Sequence, residues 1–397
     1  MSETMAKHIE DALIKLREYI EQENFKGYDP IDIFDSFLPI RFLPTFFKAA
    51  ISQLHMRNPL NLRPLLGIKK EYNPMALGVL LKAYSLQYDA DRSDETLVTM
   101  RSLFGLLADS RSIGFAGSCW GNNFAWAGRD GVVPKNYPNL VTTCKVADGI
   151  FEFYKETKNE KALEVLLGIQ AFILKEIPRM ETAYGICFSY TALKKEACYN
   201  ANMLAAEILI KIYSLTKEAD ALKSAEAAVA FTMFHQHADG HWNYSIDLDT
   251  GNERRQIDFH QGYILCSLAA FQQYSGKKDV YSEQLKRGIE FYKGKQFFKN
   301  GRSKWRFPKI FPIETHHHAT GIITFSEMSF LDRSYLDFAA KIADYTMNTL
   351  MSKKGYFYFR VYKYHKIKIS YMRWSQSFMF LALIMLQVKL NDEVKKG

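Results

Sequence analysis

Apolar residues recur at helical spacing along most of the chain, and short turn signals separate one such stretch from the next. In residues 6–22, for example, Leu13, Leu16 and Ile20 fall on one face of a helix. The same spacing predicts further helices near 38–55, 74–89, 94–110, 139–157, 160–177, 199–216, 218–236, 259–275, 279–294, 315–329, 332–351 and 371–390. No stretch has the pattern of a long buried strand.

A glycine followed by alternating aromatic residues recurs after every second predicted helix. The glycines are Gly185, Gly240, Gly301 and Gly355, spaced 55, 61 and 54 residues apart, and Gly117 begins a longer version. Two helices and a short ribbon need about that many residues, so we interpret each interval as one helical hairpin. The sequence therefore predicts an all-α fold: an (α/α)6 toroid of six hairpins, with short aromatic β-ribbons at its cup end. The alternative is an open helical-repeat array.

The ring is predicted to span residues 71–397 as one domain, with residues 1–70 forming amino-terminal helices that pack on it. Within 38–63, an apolar stripe is flanked by basic residues that include Arg41, Lys48 and Arg57. Such a basic amphipathic segment can dock on an anionic membrane surface or partner, or it can pack on its own domain.

Composition narrows the class of partner. Lys and Arg number 52 against 43 Asp and Glu, a formal net charge of +9, which favours anionic partners. No nucleic-acid-binding motif is present, so nucleic acid is not expected. The five cysteines form no CxxC pair, and no signal-peptide core precedes the first helix. We therefore expect a cytoplasmic protein, with peripheral attachment to the inner membrane as a variant of that expectation.

Several motifs together resemble a known superfamily. They are NLRPLLG at 61–67, WGNNFAW at 120–126, VP at 133–134, TT at 142–143, NAN at 200–202, IDFHQG at 257–262 and YMRWSQ at 371–376. The pattern is similar to the six-hairpin glycosidase-like toroids, and in particular to a bacterial group associated with surface-polysaccharide biosynthesis. The resemblance implies a substrate in the cup at one end of the ring. Related toroids include hydrolases, lyases and sugar epimerases.

Polar residues cluster where each predicted ribbon enters an inner helix, at 139–143, 200–202, 258–260, 314–316 and 371–374. One Asn or Asp per helix is explained by capping of the free N–H groups. The remaining polar residues are more than capping needs, and we predict that they line the cup.

Asp258 and Glu314 are the predicted acid and base, with His260 and His316 as proton-transfer partners. Asp130 is a third acidic candidate. The predicted substrate-binding residues, which include an Arg clamp for an acid group and Trp faces for sugar stacking, are Trp120, Asn123, Trp126, Arg129, Asn200, Asn202, Trp242, Tyr244, Tyr371, Arg373 and Trp374. The run at 316–318 does not predict a metal site, because consecutive helical residues diverge by about 100°. We predict no cofactor.

Three functions remain open at this point. The leading hypothesis is a glycoside hydrolase-like enzyme of bacterial surface-polysaccharide metabolism, acting on an acidic oligosaccharide or glycan precursor. A uronate lyase or sugar epimerase would instead use a His or Tyr base and an Arg clamp. The non-enzymatic alternative is a glycan-binding or scaffold protein, docked on a membrane or polysaccharide-assembly partner through the basic segment.

Overall fold

Helices dominate the computed structural model of the chain, which describes residues 3–128 and 131–396. Within these residues there are thirteen α-helices: α1 Glu3–Gln22, α2 Thr45–Arg57, α3 Pro74–Asp91, α4 Asp94–Asp109, α5 Leu140–Thr157, α6 Glu160–Lys175, α7 Tyr199–Thr216, α8 Ala219–Phe234, α9 His260–Ser275, α10 Ser282–Gln296, α11 Thr315–Glu327, α12 Ser334–Leu350 and α13 Ser377–Lys396. Apart from α2, these are the helices that the apolar periodicity predicts, within a few residues at each end.

The helices form a closed double ring. Helices α3, α5, α7, α9, α11 and α13 each contact the next, and α13 returns to contact α3. Helices α4, α6, α8, α10 and α12 pack outside them, and α1 packs on α12 and α13 as the sixth outer helix. The fold is therefore an (α/α)6 toroid, which confirms the predicted architecture and rules out the open array.

The repeated glycines mark where each ribbon touches an outer helix. Gly185, Gly240, Gly301 and Gly355 have positive φ angles between 86° and 134°. A Cβ at these four positions would come within 2.2–2.5 Å of a backbone oxygen of α8, α10, α12 and α1, respectively. Only glycine permits both the turn and the contact. The contact of Gly355 with α1 shows that the amino-terminal helix completes the repeat.

Short antiparallel strands lie ahead of the inner helices. They are β1 Trp126–Gly128, β2 Gly131–Val133, β3 Arg179–Thr182, β4 Gly185–Thr191, β5 Lys194–Cys198, β6 Ser245–Ile246, β7 Glu253–Arg254, β8 Ile313–Glu314, β9 Arg360–Val361 and β10 Lys366–Ile367. Strands β3 to β7 form one sheet in chain order, β8 to β10 form a second, and β1 pairs with β2. The strands in 179–198 are longer than the short ribbons that the sequence predicts.

The segment between α1 and α3 forms a small unit beside the cup end of the ring. It contains two 3₁₀ turns, the helix α2, and its own apolar cluster of Ile33, Ile40 and Ile68. Asp32 accepts hydrogen bonds from Arg63 at 2.9 Å and lies 3.0 Å from Nε2 of His55. These buried polar contacts hold α2 against the rest of the segment.

Candidate active site at the helix entrances

Part of the polar surplus at the helix entrances has a structural cause. In five repeats, a side chain from the first turns of an inner helix accepts the backbone N–H of the preceding ribbon, at 2.8–3.1 Å. The ribbon residues and their acceptors are Trp120 with Thr143, Phe188 with Asn202, Trp242 with Gln261, Ser303 with His318, and Phe357 with Gln376. These side chains fix the ribbons, so the prediction that Asn202 binds substrate is replaced by a structural role.

Other residues predicted to bind substrate are core residues. Trp120, Trp242 and Tyr371 have no exposed surface, and Asn200 is 2% exposed. The two indoles donate to the backbone oxygens of Leu107 and Thr232, at 2.9 and 2.8 Å. Asn200 accepts the thiol of Cys198 at 3.0 Å. An aromatic residue after a turn glycine packs inward here, because the ribbon lies against an outer helix.

Arg373 is paired within the protein. Its Nε and Nη2 atoms lie 2.6 and 2.9 Å from the two carboxylate oxygens of Asp29, and the pair is buried. Its guanidinium also lies over the rings of Trp374 and Phe124. The predicted clamp on a substrate acid group would require this pair to break. Asp29 could not be predicted as the partner, because it lies 344 residues away in the sequence.

Glu314 also has its hydrogen-bond partners within the protein. It is 1% exposed, and its Oε1 accepts Nε and Nη2 of Arg360 at 2.9 and 2.6 Å. The indole N–H of Trp374 donates to the same oxygen at 2.8 Å. Three donors thus converge on Oε1, while Oε2 is buried with no hydrogen-bond partner among the described residues. Through Oε1 the carboxylate positions Trp374 and the strand that carries Arg360.

Asp258, which is buried, and His260, which is partly exposed, form a dyad at the entrance of α9. Nδ1 of His260 lies 2.5 Å from Oδ1 of Asp258, and Gln256 donates to Oδ2 at 2.9 Å. Burial raises the pKa of the Asp258 carboxyl, but the charge and hydrogen bond of His260 outweigh it, and the pKa lies below its usual value. A carboxylate only accepts, so Nδ1 carries the proton of this hydrogen bond, and in the neutral form of the ring Nε2 has the lone pair. Within the described chain, no partner engages Nε2.

A second pair joins α9 to α11. Nδ1 of His316 lies 3.1 Å from the backbone oxygen of Trp374, so it carries the proton, and Nε2 accepts the hydroxyl of Tyr263 at 2.7 Å. Burial holds the pKa of His316 well below its usual value and raises the pKa of Tyr263. Both groups are therefore neutral at neutral pH.

The two pairs lie around one aromatic ring. The centroid of Phe259 is 4.2 Å from that of His260 and 4.6 Å from that of His316. Trp374 stacks on His316 with centroids 4.7 Å apart, and Tyr244 meets His260 edge-on at 5.0 Å. Of the predicted site residues, the structure thus brings together the two histidines, Asp258, Tyr244 and Trp374.

The remaining candidates lie farther along the rim or outside the described chain. Asn123 is half-buried and accepts a hydrogen bond from Asn73 at 2.6 Å, and Trp126 is half-buried in β1. Arg129 and Asp130 fall outside the described residues. The side chains of 316–318 diverge as expected, since His318 bonds Ser303 and the Glu314 carbonyl rather than Tyr263. Among residues 3–128 and 131–396, no group of three His, Cys, Asp or Glu side chains is arranged to hold a metal ion.

A cavity of 640 Å³ follows the ring axis below this cluster. Tyr263 lines its upper end, so the tyrosine belongs both to the cavity wall and to the histidine cluster. Lys211 lies 2.6 Å from both Asp148 and Glu207, which ties α5 to α7. Lys145 also lines the cavity, 4.3 Å above the Tyr263 ring, and burial lowers its pKa.

Sequence reasoning missed Tyr263, Arg360 and these cavity charges. Tyr263 follows His260 by three residues on a helix, a spacing that places both on one face. Asp148, Glu207 and Lys211 interrupt otherwise apolar inner helices, which is itself a signal. Arg360 lies in a ribbon with no distinguishing pattern, and only the strand pairing of β8 with β9 places it opposite Glu314.

Comparisons with known proteins show the fold. No protein-family model matches the sequence, and comparison with curated proteins finds no significant match. Among solved structures, the cellobiose 2-epimerase of Bacillus thermoamylovorans is similar with a TM-score of 0.62 at 12% identity, over 80% of this chain and 88% of that one. The GH76 α-mannanase of Bacteroides thetaiotaomicron gives 0.63 at 15%, over 81% and 87%.

A possible GH105 family member from Salmonella enterica gives a TM-score of 0.64 at 12% identity, over 96% of this chain and 94% of that one. These proteins differ in activity, and their sequences have diverged far from this one. The chain therefore shares the (α/α)6 toroid fold with them.

Proposed function

We propose that this chain is a carbohydrate-active enzyme that moves a proton at a sugar carbon, as a sugar epimerase or isomerase does. The observation that carries the proposal is the Asp258–His260 dyad, which leaves Nε2 of His260 as an unengaged base beside the neutral Tyr263–His316 pair. Structural similarity to a cellobiose 2-epimerase and to a D-mannose isomerase supports this choice of chemistry.

In the proposed reaction, Nε2 of His260 removes the proton from the carbon next to the carbonyl of an open-chain sugar. The C–H bond breaks, and its electron pair moves towards the carbonyl oxygen to give an enediolate. Asp258 stabilises the imidazolium that forms, as its charge and hydrogen bond favour the protonated ring. Return of the proton from the His260 imidazolium to the neighbouring carbon gives an isomer, and its return to the original carbon after the enediolate has turned its other face towards Nε2 gives an epimer.

This chemistry fits the site better than hydrolysis by Asp258 and Glu314. Hydrolysis needs one carboxyl group to give a proton while the other takes one or attacks. Here Glu314 is held by Arg360 and Trp374, and Asp258 is held by His260. Neither carboxyl group is a free proton donor.

The proposed substrate is an acidic sugar, in line with the positive net charge. Arg306 is exposed and has its Nε 3.5 Å from Asp258, and Arg254 is exposed over the ring of Tyr244. Both cations lie at the edge of the histidine cluster, where they would pair with a carboxylate or phosphate of the substrate. A role in surface-polysaccharide metabolism, and a cytoplasmic location, remain part of the proposal.

Chromatography of sugar products tests this function. A panel of neutral and acidic aldoses and ketoses is incubated with the wild-type protein, with His260→Gln and with Asp258→Asn. We expect the wild type to interconvert at least one pair of sugars, and His260→Gln to abolish the conversion. His8→Gln serves as the matched control, because His8 is an exposed histidine on α1. Conversion by His260→Gln at the wild-type rate would reject the assignment.

A further inference from the structure

An exposed apolar surface covers the segment between α1 and α3. We call it the Phe46 face; its members are Phe37, Phe42, Phe46, Phe47, Leu54, Leu60 and Leu65. Each is more than half exposed, and Phe46 reaches 77%. Large apolar side chains scattered singly over a surface need no explanation, but the concentration of seven within 29 residues of the sequence does.

Helix α2 exposes most of its large apolar residues, although Ile51 and Met56 pack inwards. Phe46, Phe47 and Leu54 share one side of the helix, at spacings of seven and eight residues, and all three are exposed. The opposite side carries Ser52 and His55, which are buried. A surface helix of a soluble protein normally buries its apolar stripe. The polar contact of His55 with Asp32 fixes the reversed orientation.

The charges around this face have one sign. Residues 36–70 contain no Asp or Glu, although acidic residues are common in the rest of the chain. Exposed Arg41 lies over the ring of Phe42, with its guanidinium carbon 4.9 Å from the centroid, and exposed Arg57 ends α2. Residues 36–70 thus combine aromatic side chains with cations and carry no anions. This combination is complementary to the surface of an anionic bilayer, where a layer of phosphate groups covers the apolar acyl chains.

We propose that the Phe46 face docks the protein on the surface of an anionic lipid bilayer. The phenylalanines enter the boundary between headgroups and acyl chains, and Arg41, Lys48 and Arg57 bind lipid phosphate. No helix among the described residues is long and apolar enough to cross a membrane, so the contact is peripheral. Because α2 contacts β1, the face lies beside the rim of the cup, and the docked enzyme would meet substrate close to the lipid surface.

Co-sedimentation with lipid vesicles tests the proposal. The full chain is mixed with vesicles of phosphatidylcholine alone, or of phosphatidylcholine with phosphatidylglycerol. We expect it to pellet with the anionic vesicles, and less so as salt screens the cations. The double variant Phe46→Ser/Phe47→Ser should partition at least about tenfold less, because two aromatic side chains leave the interface. Ile113→Ser is the matched control, since Ile113 is 95% exposed elsewhere on the ring.

Two results would overturn the proposal. One is a wild-type protein that stays in the supernatant with anionic vesicles, and the other is a double variant that pellets like the wild type. Light scattering of the same samples identifies the competing occupant. If the wild type is a dimer that the double variant converts to a monomer, while neither binds vesicles, the face contacts a second copy of the chain. Circular dichroism confirms that the variants remain folded.

Discussion

Arg373 and Asp29 form a buried two-pronged ion pair, with N–O distances of 2.6 and 2.9 Å, across 344 residues of chain. The pair joins the entrance of the last inner helix to the segment that precedes α2. Arg63 donates to the backbone oxygen of the same Asp29 at 2.7 Å. The contact therefore fixes the segment that carries the Phe46 face against the ring beside the histidine cluster.

Breaking this pair should destabilise the protein strongly. Asp29→Ala leaves a buried guanidinium without its partner, which costs about 3–5 kcal/mol. Arg373→Met should cost a similar amount, and the double variant should cost less than the two together, because no unpaired charge remains. Urea unfolding of all three variants measures this coupling. Lys70→Met, which removes a partly exposed pair with Glu23, should cost about 0–1 kcal/mol.

If Arg373 instead holds the substrate, the result differs. Its substitution would then raise KM by a large factor while the free energy of unfolding changed little. Additive losses in the double variant would also show that the pair seen in the structure contributes no specific coupling.

Replacement of Asp258 by Asn should lower kcat by about 10²- to 10⁴-fold, because the variant can no longer stabilise the His260 imidazolium. Glu314→Gln should act mainly on stability, because the Oε1 atom of Glu314 accepts Nε and Nη2 of Arg360 in a buried ion pair. Steady-state kinetics and urea unfolding on both variants separate the two roles. A larger loss of kcat in Glu314→Gln than in Asp258→Asn would favour two-carboxylate chemistry.

The crossing of α3 and α5 should tolerate no side chain at Gly149. A Cβ there would lie 2.1 Å from the backbone oxygen of Gly78, so Gly149→Ala must push two inner helices apart. We expect a loss of about 1–3 kcal/mol in the free energy of unfolding. The control is Gly105→Ala in α4, where nothing lies within 4 Å of the added Cβ. That variant should be neutral or gain up to about 1 kcal/mol, as alanine favours a helix.

Acid should destabilise the ring through its buried histidines. Burial lowers the pKa of His317 to about 4 and that of His318 to about 3, from 6.5. The unfolded chain therefore binds more protons than the folded one below pH 6.5, and stability falls as pH falls towards those values. The slope is about 1.4 kcal/mol per pH unit for each histidine.

The depressed pKa of Asp258 changes the free energy of unfolding only at lower pH, below the usual value of 3.8 for this carboxyl. Between pH 7 and pH 5 the histidines are opposed by Asp35, because burial raises the pKa of this carboxyl to about 6 and the folded state therefore binds its proton more tightly. The contribution of one histidine is the change that its substitution makes in the difference between the urea midpoints at the two pH values. His318→Gln should reduce the difference between the two midpoints, and His8→Gln, at an exposed position, should leave it unchanged. A difference that stays the same in His318→Gln would show that another group titrates.

The architecture follows from the sequence because it depends on local signals. Helical periodicity and the glycine repeat each extend over many residues, and Gly355 by itself already implies an outer helix to receive it. The strands in 179–198 are harder to predict from the sequence, because a strand of a few alternating residues has a weaker pattern than a long helix with a repeated apolar face. The orientation of α2 departs from the periodicity, because its inner side combines the His55–Asp32 contact with only two partly buried apolar residues, Ile51 and Met56.

Only part of the candidate site could be predicted from the sequence, and the reason is physical. A polar residue at a helix entrance can hold a ribbon, pair with a distant charge or face the cup. Asn202 does the first and Arg373 the second, and both look like His260 in the sequence. Which role applies depends on partners far away in the chain, such as Asp29 and Arg360, and only the folded structure reveals them.

The most direct test of the central claim is proton exchange at a sugar carbon. Candidate sugars, including cellobiose, mannose and acidic aldoses, are incubated in D2O with the wild type and with His260→Gln. Proton NMR follows the signal of the proton on the carbon next to the carbonyl. The account predicts that the wild type replaces this proton with deuterium in its substrate and that His260→Gln does not. Equal exchange by both proteins, or cleavage of a glycosidic bond without any exchange, would contradict it.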